Sequence, residues 1–147
     1  MAVGKMVTDL DVGDVLGPVE YTLSPFVVRE YCHAVELHND LFQGVGEQVM
    51  PPTLIHLDKL RLYRHACPGG TGPTARIHYE YDCEVFSEVH VGDRLSVSGA
   101  ITERYTKRGR EYLVLEMELK RADSGELVIR YTDRVILAYS ENTGKAA

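Results

Sequence analysis

His38-Asn39-Asp40 brings an imidazole, a carboxamide and a carboxylate together within three consecutive residues. A histidine with a pKa near neutrality beside a carboxylate is suited to activating water. The same residues also suit a solvated loop in which Asn39 or Asp40 bonds the local backbone, and Asn39 could order that loop. Downstream, Pro51-Pro52-Thr53 leads into an apolar stretch that begins at Leu54. Prolines carry no N–H, so the first free donors belong to Thr53 and the residues after it, an arrangement that can hold an oxyanion. Simple capping of a helix by Thr53 or Pro52 is compatible with that role. His56 and Asp58 follow in the same stretch. Asp58 favours the positive start of a helix by about 0.5 kcal/mol, and His56 faces either a pocket or a partner.

Other patterns exclude chemistry. The six histidines show no HExxH spacing and the three cysteines no CxxC pair, so no metal is expected. Pro68-Gly69-Gly70-Thr71-Gly72-Pro73 looks superficially like a phosphate loop. It lacks the lysine–serine/threonine ending and lies between a helix and a strand, so it reads as a connector, placed at the mouth of any pocket. Arg61, Arg64, Arg76, Arg104, Lys107, Arg108 and Arg110 scatter positive charge, most of it read as solvated.

The elements that must position these residues differ between the two halves. Ile77, Tyr79, Tyr81, Cys83 and Val85 alternate with His78, Glu80, Asp82 and Glu84, the period of a half-buried strand. Tyr79, Tyr81 and Cys83 are read as packing around a central helix. Val91-Gly92-Asp93 turns the chain, and Leu95, Val97 and Ile101 resume a strand with Gly99 as a bulge. Lys107-Arg108-Gly109-Arg110 and Ala122-Asp123-Ser124-Gly125 are further turns, flanking Leu113 to Leu119 and preceding a long strand from Leu127 to Tyr139. Four strands on short turns make an antiparallel meander.

In the first half, Val15 to Leu23 reads as an edge strand. Ser24-Pro25 supplies an N-cap and a proline at the first helical position, and Val27, Tyr31, Ala34 and Val35 fall at helical spacing. A loop from about Leu37 to Met50, containing Gly44 and Gly46, leads to the second helix, Pro51 through about Cys67. Its apolar residues cover more than one face, which predicts burial on several sides.

Composition sets the outer bounds. The chain has 147 residues, 44% hydrophobic and 26% charged, with a formal charge of −6. That balance fits one globular domain spanning 1–147, with short flexible ends near 1–9 and 141–147. The acidity argues against nucleic acid or an anionic membrane as partner. No apolar run is long enough to span a bilayer, and no secretory leader is read at the start. An odd number of widely spaced cysteines suits reduced thiols, hence a cytoplasmic location.

An antiparallel sheet wrapped around one apolar helix is the hotdog arrangement, an α+β fold. Such a sheet leaves an exposed edge, so a homodimer or a heterodimer with a second hotdog chain is expected.

Four segments resemble one family. Arg29-Glu30-Tyr31-Cys32-His33-Ala34-Val35-Glu36-Leu37-His38-Asn39-Asp40-Leu41-Phe42 resembles the helix-plus-overhang region of MaoC-like dehydratases. Val49-Met50-Pro51-Pro52-Thr53-Leu54 resembles the start of their central helix. Val91-Gly92-Asp93-Arg94-Leu95 is similar to their glycine–aspartate turn, and Tyr105 to Val114 to the hairpin after it. The likeness runs from about residue 10 to residue 140. It is nearest to the amino-terminal-half type of dehydratase subunit, as in fatty-acid-synthase-type double hotdogs.

The resemblance implies hydration of a 2-enoyl thioester, or the reverse dehydration of a 3-hydroxyacyl thioester, with R specificity. Syn addition of water needs a base, an acid, and a donor for the enolate oxygen. In the family, an aspartate and a histidine five residues later supply the first two, and backbone N–H groups at the central helix supply the third. Here those two positions hold Leu37 and Phe42, and neither moves a proton. The resemblance therefore implies a subunit that shapes the acyl pocket while a second hotdog chain carries the pair. His38 and Asp40 are the candidates for a substitute catalytic pair, and Asn39, Pro52, Thr53, Leu54 and His56 for binding substrate. No cofactor is implied beyond the coenzyme A or phosphopantetheine of the acyl thioester, whose phosphates some of the arginines could meet. Alternatives are a thioesterase using Asp58 or Asp40, since some hotdog thioesterases carry a carboxylate on this helix, and a non-enzymatic acyl-thioester binding module.

Overall fold

A computed structural model describes residues 4–43, 48–70 and 76–137. Strand β1 (Val15–Thr22) is followed by helix α1 (Pro25–Ala34), the short helix α2 (Asp40–Gln43) and helix α3 (Ile55–Ala66). Strands β2 (Ile77–Val85), β3 (Arg94–Lys107), β4 (Arg110–Arg121) and β5 (Leu127–Leu137) complete the order. All neighbouring strands are antiparallel, in the spatial order β1-β3-β4-β5-β2. The sheet wraps α3, and the fold is the hotdog arrangement. No helix among the described residues is long and apolar enough to cross a membrane.

Local chemistry explains the helix ends. Ser24 Oγ accepts from the Phe26 N–H at 3.2 Å, with Pro25 opening α1. A single 3-10 turn, Pro52–Leu54, runs directly into α3. Gln48 to Met50 is docked against 89–91, where Met50 N–H donates to Val89 O at 2.7 Å and Val91 N–H to Gln48 O at 2.9 Å. This clamp fixes the direction from which α3 starts.

Leu62 of α3 is fully buried and packs where the sheet comes closest. A Cβ added at Gly17 would lie 2.9 Å from Leu62 Cδ2, and one at Gly99 would lie 3.3 Å from Leu62 Cδ1. Two missing side chains thus make the notch that seats the helix. Leu95, Val97, Leu113, Leu115, Met117 and Leu119 form the sheet's side of the core.

Four details depart from the pattern-based reading. Gly99 is regular strand, and the β3 bulge lies two residues on, between Ile101 and Glu103. Helix α3 is open on one side, where Leu57 and Leu60 are exposed. Residues 4–10 are not a loose end: Val7 and Leu10 join the core, and Gly4 N–H donates to Ala66 O at 3.0 Å. The fourth departure concerns β2. A bulge between His78 and Glu80 breaks its alternation, so His78 falls on the same side as Tyr81, while Tyr79 turns toward Tyr112. As the outermost strand, β2 leaves Tyr79 and Tyr81 about half exposed rather than packed in the core. Gly44, Gly46, Thr71 to Pro73 and the two extreme ends lie outside the described residues.

Candidate functional site

The overhang after α1 is ordered by its own backbone. Leu37 N–H donates to Cys32 O at 2.8 Å, and Glu36 takes a left-handed φ of 56° to make the turn. Asn39 Oδ1 accepts from Leu41 N–H at 2.8 Å, which caps α2. His38, Asn39 and Asp40 are exposed, and no hydrogen bond or ion pair joins His38 to Asp40 among the described residues. The His33 ring lies edge-on to that of His38, 6.1 Å away. Leu37 and Phe42 instead turn inward and pack on the core. Phe42 also lines a shallow cleft with Pro25, Arg29, His33 and Gln48.

At the start of α3, Pro52 and Thr53 are exposed while Leu54 is buried. The Thr53 hydroxyl hydrogen-bonds with the Tyr31 hydroxyl of α1, tying the overhang helix to the central one. Leu54 N–H donates to Pro51 O at 2.9 Å, so that donor is engaged in the 3-10 turn.

One turn further along α3 the chain assembles a polar cluster that its sequence did not announce. Asp133 of β5 has a fully buried side chain. His78 Nδ1 approaches Asp133 Oδ1 at 2.7 Å, and Lys59 Nζ lies 3.5 Å from Oδ2 and 3.1 Å from the same Nδ1. His56 stands alongside, its ring centroid 5.3 Å from that of His78 and its Nδ1 2.8 Å from the Tyr131 hydroxyl. Tyr81 stacks on Tyr131 and closes the group from the β2 side.

Burial sets the electrostatics here. It raises the Asp133 carboxyl, against the pull of Lys59 and His78, and it lowers Lys59. Burial, then Lys59, lowers His56 and keeps it neutral, while Tyr131 is pushed up and keeps its proton. Of these residues only His56 stood out from the sequence. Asp133 was detectable as a charge in an inward row, Ile129-Tyr131-Asp133-Val135-Leu137, and the β2 bulge concealed His78.

Asp58 is held apart from this cluster. Only 2% exposed, it accepts from Tyr21 Oη at 2.9 Å and lies 3.8 Å from Arg61 Nε. The Arg61 guanidinium covers the Tyr21 ring at 3.6 Å. Burial pushes the Asp58 carboxyl up to about 6 despite both partners.

No protein-family model and no curated protein sequence matches the chain. Solved structures do. A monoamine oxidase regulatory protein from Archaeoglobus superposes with a TM-score of 0.73 at 14% identity, over 90% of this chain and 94% of that one. The HadBC (3R-hydroxyacyl-ACP dehydratase) complex of Mycobacterium tuberculosis gives 0.70 at 16% identity, over 86% and 98%. The (R)-hydratase from A. caviae involved in PHA biosynthesis gives 0.66 at 15% identity, over 86% and 96%. These likenesses establish the fold: the chain is built on the hotdog scaffold that those hydratases and dehydratases use.

Proposed function

We propose that the chain is a component of an R-specific enoyl-thioester hydratase or 3-hydroxyacyl-thioester dehydratase. It shapes the acyl pocket beside a second hotdog chain that carries the aspartate–histidine pair. The observation that supports this most directly is the overhang. Leu37 and Phe42 stand where the resemblance places the acid and base, and both pack on the core. In the 3-10 turn that leads into α3, Pro52 has no N–H and the Leu54 N–H is engaged by Pro51 O, so the exposed Thr53 is the position whose backbone N–H would meet a thioester carbonyl.

Two further features favour a second chain. Strand β2 is paired on one side only among the described residues, with Tyr79, Tyr81, Val85 and Phe86 exposed along or just beyond it. One of the structurally similar dehydratases is a complex of two chains. The substrate is an acyl thioester of coenzyme A or of phosphopantetheine on a carrier protein, and the chain needs no other cofactor.

The test is to assay hydration of crotonyl-CoA by the chain alone and together with the hotdog chain that co-purifies with it. The expected result is a rise of about a hundredfold or more on pairing. Strong activity of the lone chain, lost in His38→Ala or Asp40→Asn, would overturn the division of labour. Release of free thiol from acyl-CoA, lost in Asp58→Asn, would move the chain to the thioesterases.

A further inference from the structure

We propose that the open face of α3 docks an amphipathic helix of a protein partner, one whose apolar stripe is bordered by carboxylates. Leu57 and Leu60 stand 38% and 47% exposed on a helix whose remaining faces reach the core. One exposed leucine is ordinary, but these two lie side by side in a concave surface. With Val19 of β1 they floor a groove of about 420 Å³, rimmed by Arg61, Arg64 and His65. A second hollow of about 240 Å³ shares Leu60 and Arg64, reaches the residues just after α3, and adds Arg76. Leu57, Leu60, Arg61 and Arg64 fall at i, i+3, i+4 and i+7, so they make one stripe along the helix. From Leu57 to Cys67 that stripe runs about 15 Å, the length of a ten-residue helix.

The charge on this face has one sign. No carboxylate lines either hollow among the described residues, although the chain as a whole carries −6. Asp58 lies 3.8 Å from the Arg61 guanidinium and partly answers its charge. Arg76 sits over the Tyr63 ring, 5.3 Å from its centroid, and forms no ion pair with a described residue. Arg64 has neither a hydrogen bond nor an ion pair among the described residues. Two unanswered guanidiniums beside an aliphatic floor select apolar anchors with carboxylates next to them. A two-fold contact between copies would set Arg61 and Arg64 of one chain against those of the other, so the same charges oppose self-pairing here.

A helix is the shape that fits. A stripe at this spacing accepts the ridges of a second helix, whose own anchors repeat at the same intervals. The groove also stands clear of the contact proposed for a second hotdog chain. Its Val19 belongs to β1, at the opposite edge of the sheet from β2, and Lys59, which reaches β5 and β2, leaves α3 on a different face. The inference therefore does not depend on the functional reading, and both partners can be held at once.

The experiment uses the full chain and labelled synthetic helices, with binding read by fluorescence anisotropy. One peptide carries leucines at i, i+3, i+4 and i+7 with glutamates beside them, a second has lysines in place of the glutamates, and a third scrambles the first. The acidic peptide should bind with a Kd on the order of 10 μM at low salt, as a small contact does, and more weakly as salt is added. The lysine and scrambled peptides should bind at least about tenfold more weakly. Arg64→Glu/Arg76→Glu should weaken the acidic peptide by about tenfold or more, and so should Leu60→Asp alone. Arg108→Glu, at the exposed turn between β3 and β4, should change nothing. Proton–nitrogen NMR should place the amide shifts at Val19, Leu57, Leu60 and Arg64, and the same spectra show whether each variant is folded. No binding of the acidic peptide, equal binding of the lysine or scrambled peptide, or indifference to Arg64→Glu/Arg76→Glu in a folded chain overturns the inference. Self-association of the parent that this double change abolishes also overturns it, and gives the face to a second copy.

Discussion

Tyr21 Oη donates to Asp58 Oδ2 across 2.9 Å, and this contact pins the edge strand β1 to the central helix at a buried carboxyl. Because burial raises the folded-state pKa to about 6, above the ordinary carboxylate value, the folded state binds the proton more tightly than the unfolded chain. The associated stability is complete below about pH 4 and is lost as pH rises through about 6, on the order of 3 kcal/mol in all. Asp58→Asn should flatten the rise in stability seen on acidification between pH 6 and pH 4. Urea denaturation at half-unit pH intervals checks this, and an unchanged slope would show that Asp58 ionises freely in the folded protein.

The Gly17–Leu62–Gly99 notch leads to a ranking. At Gly17 an added Cβ would meet Leu62 Cδ2 and the Val97 carbonyl oxygen, both at 2.9 Å, and φ is +80°. At Gly99 the 2.9 Å contact is to the flexible end of Leu115, with the Glu116 carbonyl at 3.1 Å and an ordinary φ. Gly99→Ala should cost about 1–3 kcal/mol and Gly17→Ala more, because backbone strain adds to overpacking. Leu62→Ala should cost about 2–5 kcal/mol by leaving the notch empty. Chemical denaturation gives all three, and a milder loss at Gly17 than at Gly99 would contradict the packing argument.

These two contacts also mark what the sequence could reveal. Strand alternation, turn glycines and the Ser24-Pro25 start encode local backbone, and from them the order of elements and the wrapped sheet were legible. Leu37 and Phe42 stood out only through the family resemblance, since apolarity alone does not separate them from Leu41, which lies in the same overhang and is exposed. The cluster around Asp133 was not. It depends on β2 slipping by one residue at Tyr79, which moves His78 to the helix side, and on Lys59 reaching β5 from α3. A bulge has no unique sequence signature. A lysine at helical spacing reads as solvent-facing until the opposite strand is known to carry a buried carboxylate.

Lys59 and Asp133 should therefore be coupled. Lys59→Met removes the one permanent cation beside the buried carboxylate, leaving only the His78 ring within 4 Å among the described residues, and should cost about 2–4 kcal/mol. Asp133→Asn in the same background removes the stranded charge, so the double variant should recover at least about 1 kcal/mol of that loss. A denaturation double-mutant cycle measures the coupling. Strict additivity would mean that the ammonium does not compensate the carboxylate.

Strand β2 provides the last prediction. Its outer edge keeps regular register with β5 from Glu80 to Val85, and the strand carries aromatic and β-branched side chains that are about half exposed. An unpaired edge of this kind seeks another strand unless charge or distortion blocks it. Glu80, Asp82 and Glu84 lie on the opposite face from Tyr81 and Cys83, so they do not shield the apolar side. Placing lysines at Tyr79 and Val85 puts two desolvation penalties and a charge repulsion into any edge-to-edge contact. It leaves the inner core intact, because both side chains are already exposed. Mixed with the second hotdog chain proposed above, the Tyr79→Lys/Val85→Lys chain should stay unassociated by light scattering at concentrations where the parent associates, with its own thermal midpoint little changed. If the variant pairs as well as the parent does, the association runs through another surface, and the exposed α3 residues Leu57 and Leu60 become the next site to charge.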